Sequence, residues 1–161
     1  MDNMDMEPRM KKYPLTMEQC KLVLEKFETG VISTLNEDGY PYSVPVNFIY
    51  LSGRIYIHGR DKGHKILNIM RDSKCSFTTF NAQGYNMEGK TACDTETDFE
   101  SVIVQGRAMI LKDDNEKYMI LRAIADKYGR KGVEMPADRV SNTGVIVIIP
   151  EDITGKYHKG P

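Results

Sequence analysis

The sequence predicts a mainly β domain of the α+β type, built as a small closed or half-closed antiparallel β-barrel. Six segments have the composition and alternation of strands, and tight turns join the first three. Only two long amphipathic helical segments occur in 161 residues. The regular strand–helix alternation that builds a doubly wound parallel sheet is absent. At 40% hydrophobic residues, the chain is long enough for one domain with a real core.

The chain is predicted to begin with a flexible N-terminal arm over residues 1–14, followed by a single domain over residues 15–161. Thr16 and Gln19 have the spacing of a capping box, which predicts that the first helix begins there. Gly30 stands where a helix-terminating glycine is expected. The apolar residues between them follow the i, i+3, i+4, i+7 spacing of a buried face and are Cys20, Val23, Leu24 and Phe27.

Three strands joined by two turns are predicted next, over residues 30–35, 40–50 and 54–58. Asp38 and Gly39 supply the first turn, because both residue types tolerate positive φ. This run of strands, turns and strands is typical of a meandering antiparallel sheet.

A short amphipathic helix is predicted over residues 64–71, where the apolar residues are spaced three and four apart. Gly63, His64 and Lys65 stand at its N-terminus, beside backbone N–H groups that have no partner within the helix. Such a combination of free donors and positive charge suits an anion, and a phosphate is the expected one.

The second half of the chain continues the pattern of strands with one long helix. Gly106 lies within a predicted strand and indicates a bulge or a bend, and Pro150 is expected to end another strand. The predicted elements are strands at 74–80, 99–111 and 143–149, a helix at 115–128, and a possible final strand within 152–158. The predicted loops are residues 81–98, which by their length should be mobile or functional, and residues 131–141.

Composition excludes several classes of function. The net charge of −1 provides no field that attracts nucleic acid or an acidic membrane, and no apolar run approaches the ~20 residues of a membrane helix. The first fifteen residues lack the apolar core of a secretory signal. Three widely spaced cysteines, Cys20, Cys75 and Cys93, fit neither a zinc site nor a disulfide framework. A reducing cytoplasm is therefore the expected location.

Residues 84–91, GYNMEGKT, match the G-x-x-x-x-G-K-[ST] pattern of a nucleotide-binding loop. That loop binds phosphates only between a strand and a helix. The residues that follow, 92–98, are alternating and acidic, which does not predict a helix. We therefore interpret this segment as a polar loop and keep nucleotide binding as the alternative.

Four carboxylates, Asp94, Glu96, Asp98 and Glu100, alternate along the chain and would share one face of a strand. A metal site could use them, but no histidine accompanies them in the sequence. A solvated strand edge is the preferred interpretation.

His58 ends the third predicted strand, near the predicted phosphate site. A histidine in such a place is more often structural or solvated than catalytic, but a neighbouring phosphate strengthens the case for function. Asn47, between Val46 and Phe48, places a polar group on an otherwise apolar wall. A wall of that kind suits a flat heteroaromatic ring whose edge is hydrogen-bonded by amides.

Four segments in this order resemble the pyridoxamine 5′-phosphate oxidase-like flavoproteins, and among them the nitroimidazole-resistance (Nim) branch. They are residues 39–48 (GYPYSVPVNF), 55–59 (IYIHG), 63–66 (GHKI) and 100–108 (ESVIVQGRA). The resemblance extends over roughly residues 16–156. It implies a six-stranded antiparallel split β-barrel with flanking helices, an FMN cofactor, and a homodimer with two FMN sites at the subunit interface.

The resemblance also implies which residues bind the cofactor. The family places the segment matching Val46 along the isoalloxazine ring, and the turn matching Gly63 at the ribityl phosphate. Glu100 and Ser101 match a region that often reaches the flavin of the partner subunit. The implied cofactor-binding residues are Val46, Asn47, Phe48, His58, Gly59, Gly63, His64, Lys65, Ser76, Phe77, Thr78, Glu100 and Ser101, and His58 is the one candidate for a catalytic role.

Two departures from the family pattern bear on the substrate. The C-terminal Arg-x-His-x-Arg motif of the true oxidases is replaced by residues 154–159, TGKYHK, and the Arg-Lys pair at the phosphate is His64-Lys65. The prediction is therefore an FMN-dependent oxidoreductase that reduces small electron-poor acceptors such as nitroaromatics. The alternatives are a non-catalytic flavin or haem storage or sensor protein, with His158 as axial ligand, and a deazaflavin (F420) enzyme.

Overall fold

The structure is a computed structural model that describes residues 12–87, 90–91 and 96–158. Six antiparallel strands close into a barrel in the order β1-β2-β3-β6-β5-β4, with β4 returning to β1. The predicted six-stranded, mainly β barrel with flanking helices is confirmed. The elements are α1 (Met17–Lys26), β1 (Thr29–Leu35), β2 (Pro41–Leu51), β3 (Arg54–Arg60), α2 (His64–Arg71), β4 (Lys74–Asn86), β5 (Glu96–Ile110), α3 (Asp114–Lys127), α4 (Ala137–Ser141) and β6 (Thr143–His158).

The barrel interior is filled by the alternate residues of each strand, as a period of two requires. Phe48 and Phe77 meet at its centre, with ring centroids 4.8 Å apart and an interplanar angle of 66°. The helices α1 and α2 each contribute apolar residues to this same core. The capping box predicted for α1 is present, because Thr16 and Gln19 exchange side-chain to backbone hydrogen bonds.

A second, smaller core lies outside the barrel wall. Here α3 and α4 pack over the outward-facing residues of β2, β3 and β6, among them Ile49 and Tyr56. Lys117 of α3 is buried and donates to the carbonyl oxygen of Ser141 at 2.8 Å, which fixes α4 against α3. One part of the barrel exterior is therefore covered by helices.

Several predicted boundaries are wrong. The described part of the predicted loop over residues 81–98 is mostly sheet, because β4 continues to Asn86 and β5 begins at Glu96. Pro150 does not end a strand: β6 runs through it, at a register shift opposite Gln105 and Gly106. The bulge predicted at Gly106 is thus confirmed, and the backbone room that this glycine leaves accommodates Pro150. Within the predicted loop 131–141, the structure forms α4.

Parts of four predictions fall outside the described residues. These are most of the N-terminal arm (residues 1–11), residues 88–89 of the nucleotide-loop pattern, and Cys93 and Asp94. Where the arm is described, Pro14 bridges to Lys156 and Tyr13 accepts a backbone hydrogen bond from Tyr157 at 3.1 Å. The division into arm and domain stays a prediction. Among the described residues, no helix has the length and apolar character that crossing a bilayer requires.

Candidate functional site

The predicted anion site lies where β3 ends and α2 begins. Gly63 is the N-cap of α2 with φ of +124°, a conformation that favours glycine. No side chain of the described residues caps this helix. The Gly63 carbonyl oxygen accepts from the N–H groups of Ile66 and Leu67, and the N–H groups before these, those of His64 and Lys65, are the ones that an α-helix leaves without an intrahelical partner. Such an uncapped N-terminus is suited to a negative ligand.

Lys65 brings a positive charge to the same place. A Cβ atom added to Gly59 would lie 3.6 Å from the Lys65 Nζ atom, so the ammonium group sits directly over the end of β3. His64 is exposed and meets the Tyr42 ring edge to face, with centroids 5.5 Å apart. Four of the predicted site residues, Gly59, Gly63, His64 and Lys65, are therefore brought together, and their donors and charge fit a phosphate.

A cavity of about 460 Å³ opens beside Asn47 and His58. Both side chains point outward from the barrel, one step beyond the paired residues Phe48 and Ile57. Its other walls come from α3, α4 and the segment between them: Leu121, Ile124, Ala125, Tyr128, Arg130, Met135, Arg139, Val140 and Thr143. A volume of this size and a mostly apolar lining are typical of a small-molecule site.

The His58 ring lies at the mouth of this cavity. Although much of its surface is exposed, the protein atoms around it desolvate the charged form and lower the pKa of His58 below its ordinary value of 6.5. The ring is therefore neutral at neutral pH, where it offers one hydrogen-bond donor and one acceptor.

Three of the predicted residues point into the barrel. Phe48 and Phe77 are 1% and 0% exposed, and Val46 packs against the same core. Their side chains are thus unavailable to a ligand on the exterior, which would meet only the main chain of these positions.

Ser76 and Thr78 lie on a part of the barrel exterior that the described helices do not cover. Thr78 pairs with Val31, and Val31 pairs with Pro45 on the next strand. Ser76 pairs in the same way with Ser33, whose Oγ atom is 2.8 Å from that of Ser43. The exterior of β1, β2, β4 and β5 is therefore a continuous surface of small polar and apolar residues.

Glu100 and Ser101 lie in the first half of β5, seven residues or more before Ala108, whose N–H donates to the Ser73 carbonyl just after α2. A Glu100 oxygen is 4.0 Å from Lys26 Nζ of α1, and the Ser101 hydroxyl donates to the Lys156 carbonyl at 3.5 Å. Within one chain, the structure does not bring these two residues to the cavity beside His58 or to the α2 N-terminus.

The acidic series has a histidine partner that the sequence reading missed. His158 Nε2 is 2.8 Å from Glu96 and its Nδ1 is 3.3 Å from Asp98. Only the antiparallel pairing of β5 with β6 joins these residues, which lie about sixty positions apart, so no local pattern could have shown it. Within the described part of the chain, no group of three or more histidine, cysteine or acidic residues has a geometry that could hold a metal.

The sequence reading also missed the far wall of the cavity. Arg130, Met135 and Arg139 fall in or next to a segment predicted as loop, and nothing in its composition indicated that it folds back over His58. The sequence indicated Tyr128 only as the last residue of the helix predicted over residues 115–128. In the structure its hydroxyl donates to the Glu28 carbonyl at 2.8 Å and anchors α3 to the barrel.

Comparison with known proteins points to one family. The family model described as pyridoxamine 5′-phosphate oxidase matches residues 16–157. No curated protein matches the sequence. Many solved structures share the fold.

A provisionally assigned 5-nitroimidazole antibiotic resistance protein from Bacteroides thetaiotaomicron has a TM-score of 0.78 at 22% identity, over 89% of this chain and 85% of its own. The flavocytochrome Anf3 from Azotobacter vinelandii has a TM-score of 0.83 at 21% identity, over 95% and 72%. An FAD and heme binding protein from Mycobacterium smegmatis has a TM-score of 0.80 at 14% identity, over 90% and 72%.

Proposed function

Because this chain belongs to the pyridoxamine 5′-phosphate oxidase family, we propose that it is an FMN-dependent oxidoreductase that reduces small electron-poor acceptors such as nitroaromatics. The observation that carries the proposal is that two candidate sites adjoin at the end of β3. They are the anion site at Gly59 and Lys65 and the cavity at His58. An uncapped helix N-terminus with Lys65 suits the phosphate, Asn47 and His58 offer hydrogen-bonding groups to the edge of the flavin ring, and the cavity that they border suits a small acceptor. Similar folds that bind flavins, such as the FAD and heme binding protein, support it.

In this proposal the FMN phosphate is held by the first amides of α2 together with Lys65, and His64 completes the site. The Gly59 position, which carries no side chain, leaves room for the ligand beside the Lys65 ammonium. The isoalloxazine would meet Asn47, His58 and the main chain of the strand between Val46 and Phe48.

The bound flavin supplies the electron transfer, and the protein binds it, orients it and keeps water from it. His58 would be neutral in its resting state, because its pKa is lowered. It can therefore accept or donate a hydrogen bond at the ring edge without adding a fixed charge. A catalytic role for His58 is part of the proposal.

We further propose a homodimer with FMN at the subunit interface. The uncovered exterior formed by Pro45, Val31, Thr78 and Ile103 is a surface that a second copy would cover, and Phe80 beside it is 64% exposed. In such a dimer Glu100 and Ser101 act on the flavin of the other subunit, in keeping with their distance from the site within one chain. The free thiols of Cys20 and Cys75 support a cytoplasmic location.

The alternatives differ in what the protein does with a cofactor. A haem protein would need an axial ligand, and His158, the candidate from the sequence, already has both ring nitrogens against carboxylates. An iron could bind His158 only by displacing one of these carboxylates, which argues against haem ligation by this residue. A flavin storage or sensor protein would bind FMN without turnover, and an F420 enzyme would prefer the deazaflavin.

The first test is an absorbance and fluorescence titration of the purified protein with FMN, F420 and haem. We expect flavin absorbance bands and quenched FMN fluorescence at one flavin per chain, in a species whose sedimentation shows a dimer. Dithionite-reduced protein should then be reoxidised under argon by nitroaromatic acceptors. A Soret band, a preference for F420, or FMN binding without reoxidation would each replace the proposal with the corresponding alternative.

A further inference from the structure

We propose that the cavity beside His58 binds the electron acceptor and selects anionic aromatic compounds, such as ring carboxylates, over neutral ones. This inference rests on the proposed function and specifies the substrate class of that site. The cavity shares Asn47 and His58 with the proposed flavin site, so a ligand inside it would lie next to the cofactor.

The walls of the cavity are suited to a flat apolar body. The aliphatic part of its lining consists of Leu121, Ile124, Ala125, Met135 and Val140, and Val140 is 3% exposed. Methionine in such a wall adapts to different ring shapes. A volume of about 460 Å³ accommodates one or two aromatic rings.

The charges at the cavity are of one sign. Arg130 and Arg139, both exposed, are among its lining residues, and no aspartate or glutamate is among the described ones. Neither guanidinium forms an ion pair with another residue of the described ranges. Two unpaired guanidiniums beside an apolar wall are the arrangement that recognises a carboxylate attached to a ring, since arginine binds carboxylates through two parallel hydrogen bonds.

The neutral His58 ring adds to this selection. It adds no positive charge to those of the two arginines, so the positive charge of the lining is confined to the arginine side of the cavity. An anionic ring would therefore bind with its carboxylate toward Arg130 and Arg139 and its opposite edge toward His58 and the flavin. A neutral ring would gain the apolar contacts alone.

The test compares 4-nitrobenzoate with 4-nitrobenzamide, which has nearly the same shape and no charge. Binding is measured by calorimetry on the protein without flavin, and acceptor reduction by the reoxidation rate of the dithionite-reduced FMN form. We expect 4-nitrobenzoate to bind roughly tenfold more tightly than the amide and the double substitution Arg130→Gln/Arg139→Gln to abolish the difference. Binding of the amide should not change in that variant.

Lys131→Gln is the matched control, because it removes one positive charge from the same segment at an exposed position outside the lining. It should leave the preference intact, whereas Arg130→Gln alone should reduce it. Ala125→Trp, which fills the cavity, should block both compounds while the unfolding temperature confirms a folded protein. Equal binding of acid and amide, or an equal effect of Lys131→Gln, would overturn the inference.

The two proposals fail in different ways. If the protein binds no flavin but prefers 4-nitrobenzoate through Arg130 and Arg139, the proposed function is wrong and the anion-selective cavity stands. If FMN binds and is reoxidised equally by acid and amide, the flavin function stands and the substrate class is wrong.

Discussion

Replacing Lys65 with methionine tests the phosphate end of the site. Methionine keeps most of the apolar stem of lysine and removes the charge. The structure indicates that Lys65 is half-buried with its Nζ atom over Gly59, while the uncapped amides of α2 are main-chain groups that the substitution leaves in place. The variant should therefore lose one charge–phosphate interaction and keep the helix contribution.

The size of the loss follows from these contacts. Two unit charges about 4 Å apart interact by about 4 kcal/mol at an effective dielectric constant of about 20. Desolvation and the ordering of a long side chain reduce the net value to about 1.5–3 kcal/mol for a hydrogen bond to a charged group. The remaining amides contribute about 0.3–1 kcal/mol through the helix dipole. The Kd for FMN should thus rise about 10- to 100-fold.

The assay is a fluorescence titration with FMN and with riboflavin, which lacks the phosphate. Lys65→Met should weaken FMN binding and leave riboflavin binding within about twofold. Lys62→Met, an exposed lysine just before the helix, is the control with the same change in net charge and should bind FMN as the wild type does. Added salt should reduce the wild-type preference for FMN over riboflavin.

Two results would refute this reasoning. If Lys65→Met weakens riboflavin as much as FMN, Lys65 supports the fold of the site and does not bind the phosphate. If Lys62→Met is as harmful as Lys65→Met, the effect is a general field of positive charge, and the anion site at the α2 N-terminus is not specific.

Three further predictions concern stability and reactivity. Folding lowers the pKa of His58 below 6.5, so protonation of this ring opposes folding. The free energy of unfolding should be at its full value above pH 6.5 and should fall as the pH drops through the folded pKa. Urea unfolding of His58→Gln should lack the part of this pH dependence that His58 causes. Gly106→Ala should destabilise by about 2 kcal/mol or more, since the new Cβ would overlap the Ile149 carbonyl, whereas Gly59→Ala, with its nearest contact at 3.6 Å, should melt like the wild type. Burial raises the pKa of Cys75 to about 11, so iodoacetamide at pH 8 should label the native thiol about 100-fold more slowly than a thiol of pKa 9.0, a protection lost in urea.

The barrel could be predicted from the sequence because its strands bury one face and expose the other. The first three strands alternate clearly enough to be placed within a few residues of β1, β2 and β3. The extension of β4 over residues 81–86 could not be predicted in this way. Residues 81–85 of this extension are all exposed, so apolar and polar residues do not alternate along it.

Features that depend on pairing between distant segments could not be predicted from the sequence. The local sequence predicts that Pro150 ends a strand. Only the missing side chain of Gly106, on the neighbouring strand β5, explains why β6 continues through it. The fold of the segment between α3 and α4 depends likewise on a contact across the chain, from Lys117 to Ser141. The arginines of the cavity are positioned by that segment, and for that reason the sequence could not show them.

The position of the candidate site follows from how far α3 reaches across the barrel. Strand alternation sends Asn47 and Ile49 of β2 to the exterior together, and Tyr56 and His58 of β3 likewise. The helix covers Ile49 and Tyr56, which are 4% and 8% exposed, and leaves Asn47 and His58 at its border.

At that border a ligand can have an apolar helix on one side and open barrel wall on the other. A longer α3 would extend over His58, and a shorter one would remove the wall of the cavity that Ile124, Ala125 and Tyr128 form. The C-terminal turn of α3 is held by Tyr128 and Lys127, which bond to main-chain carbonyls at Glu28 and Phe27. Because Tyr128 itself lines the cavity, these two anchors fix the position of the α3 wall relative to the barrel.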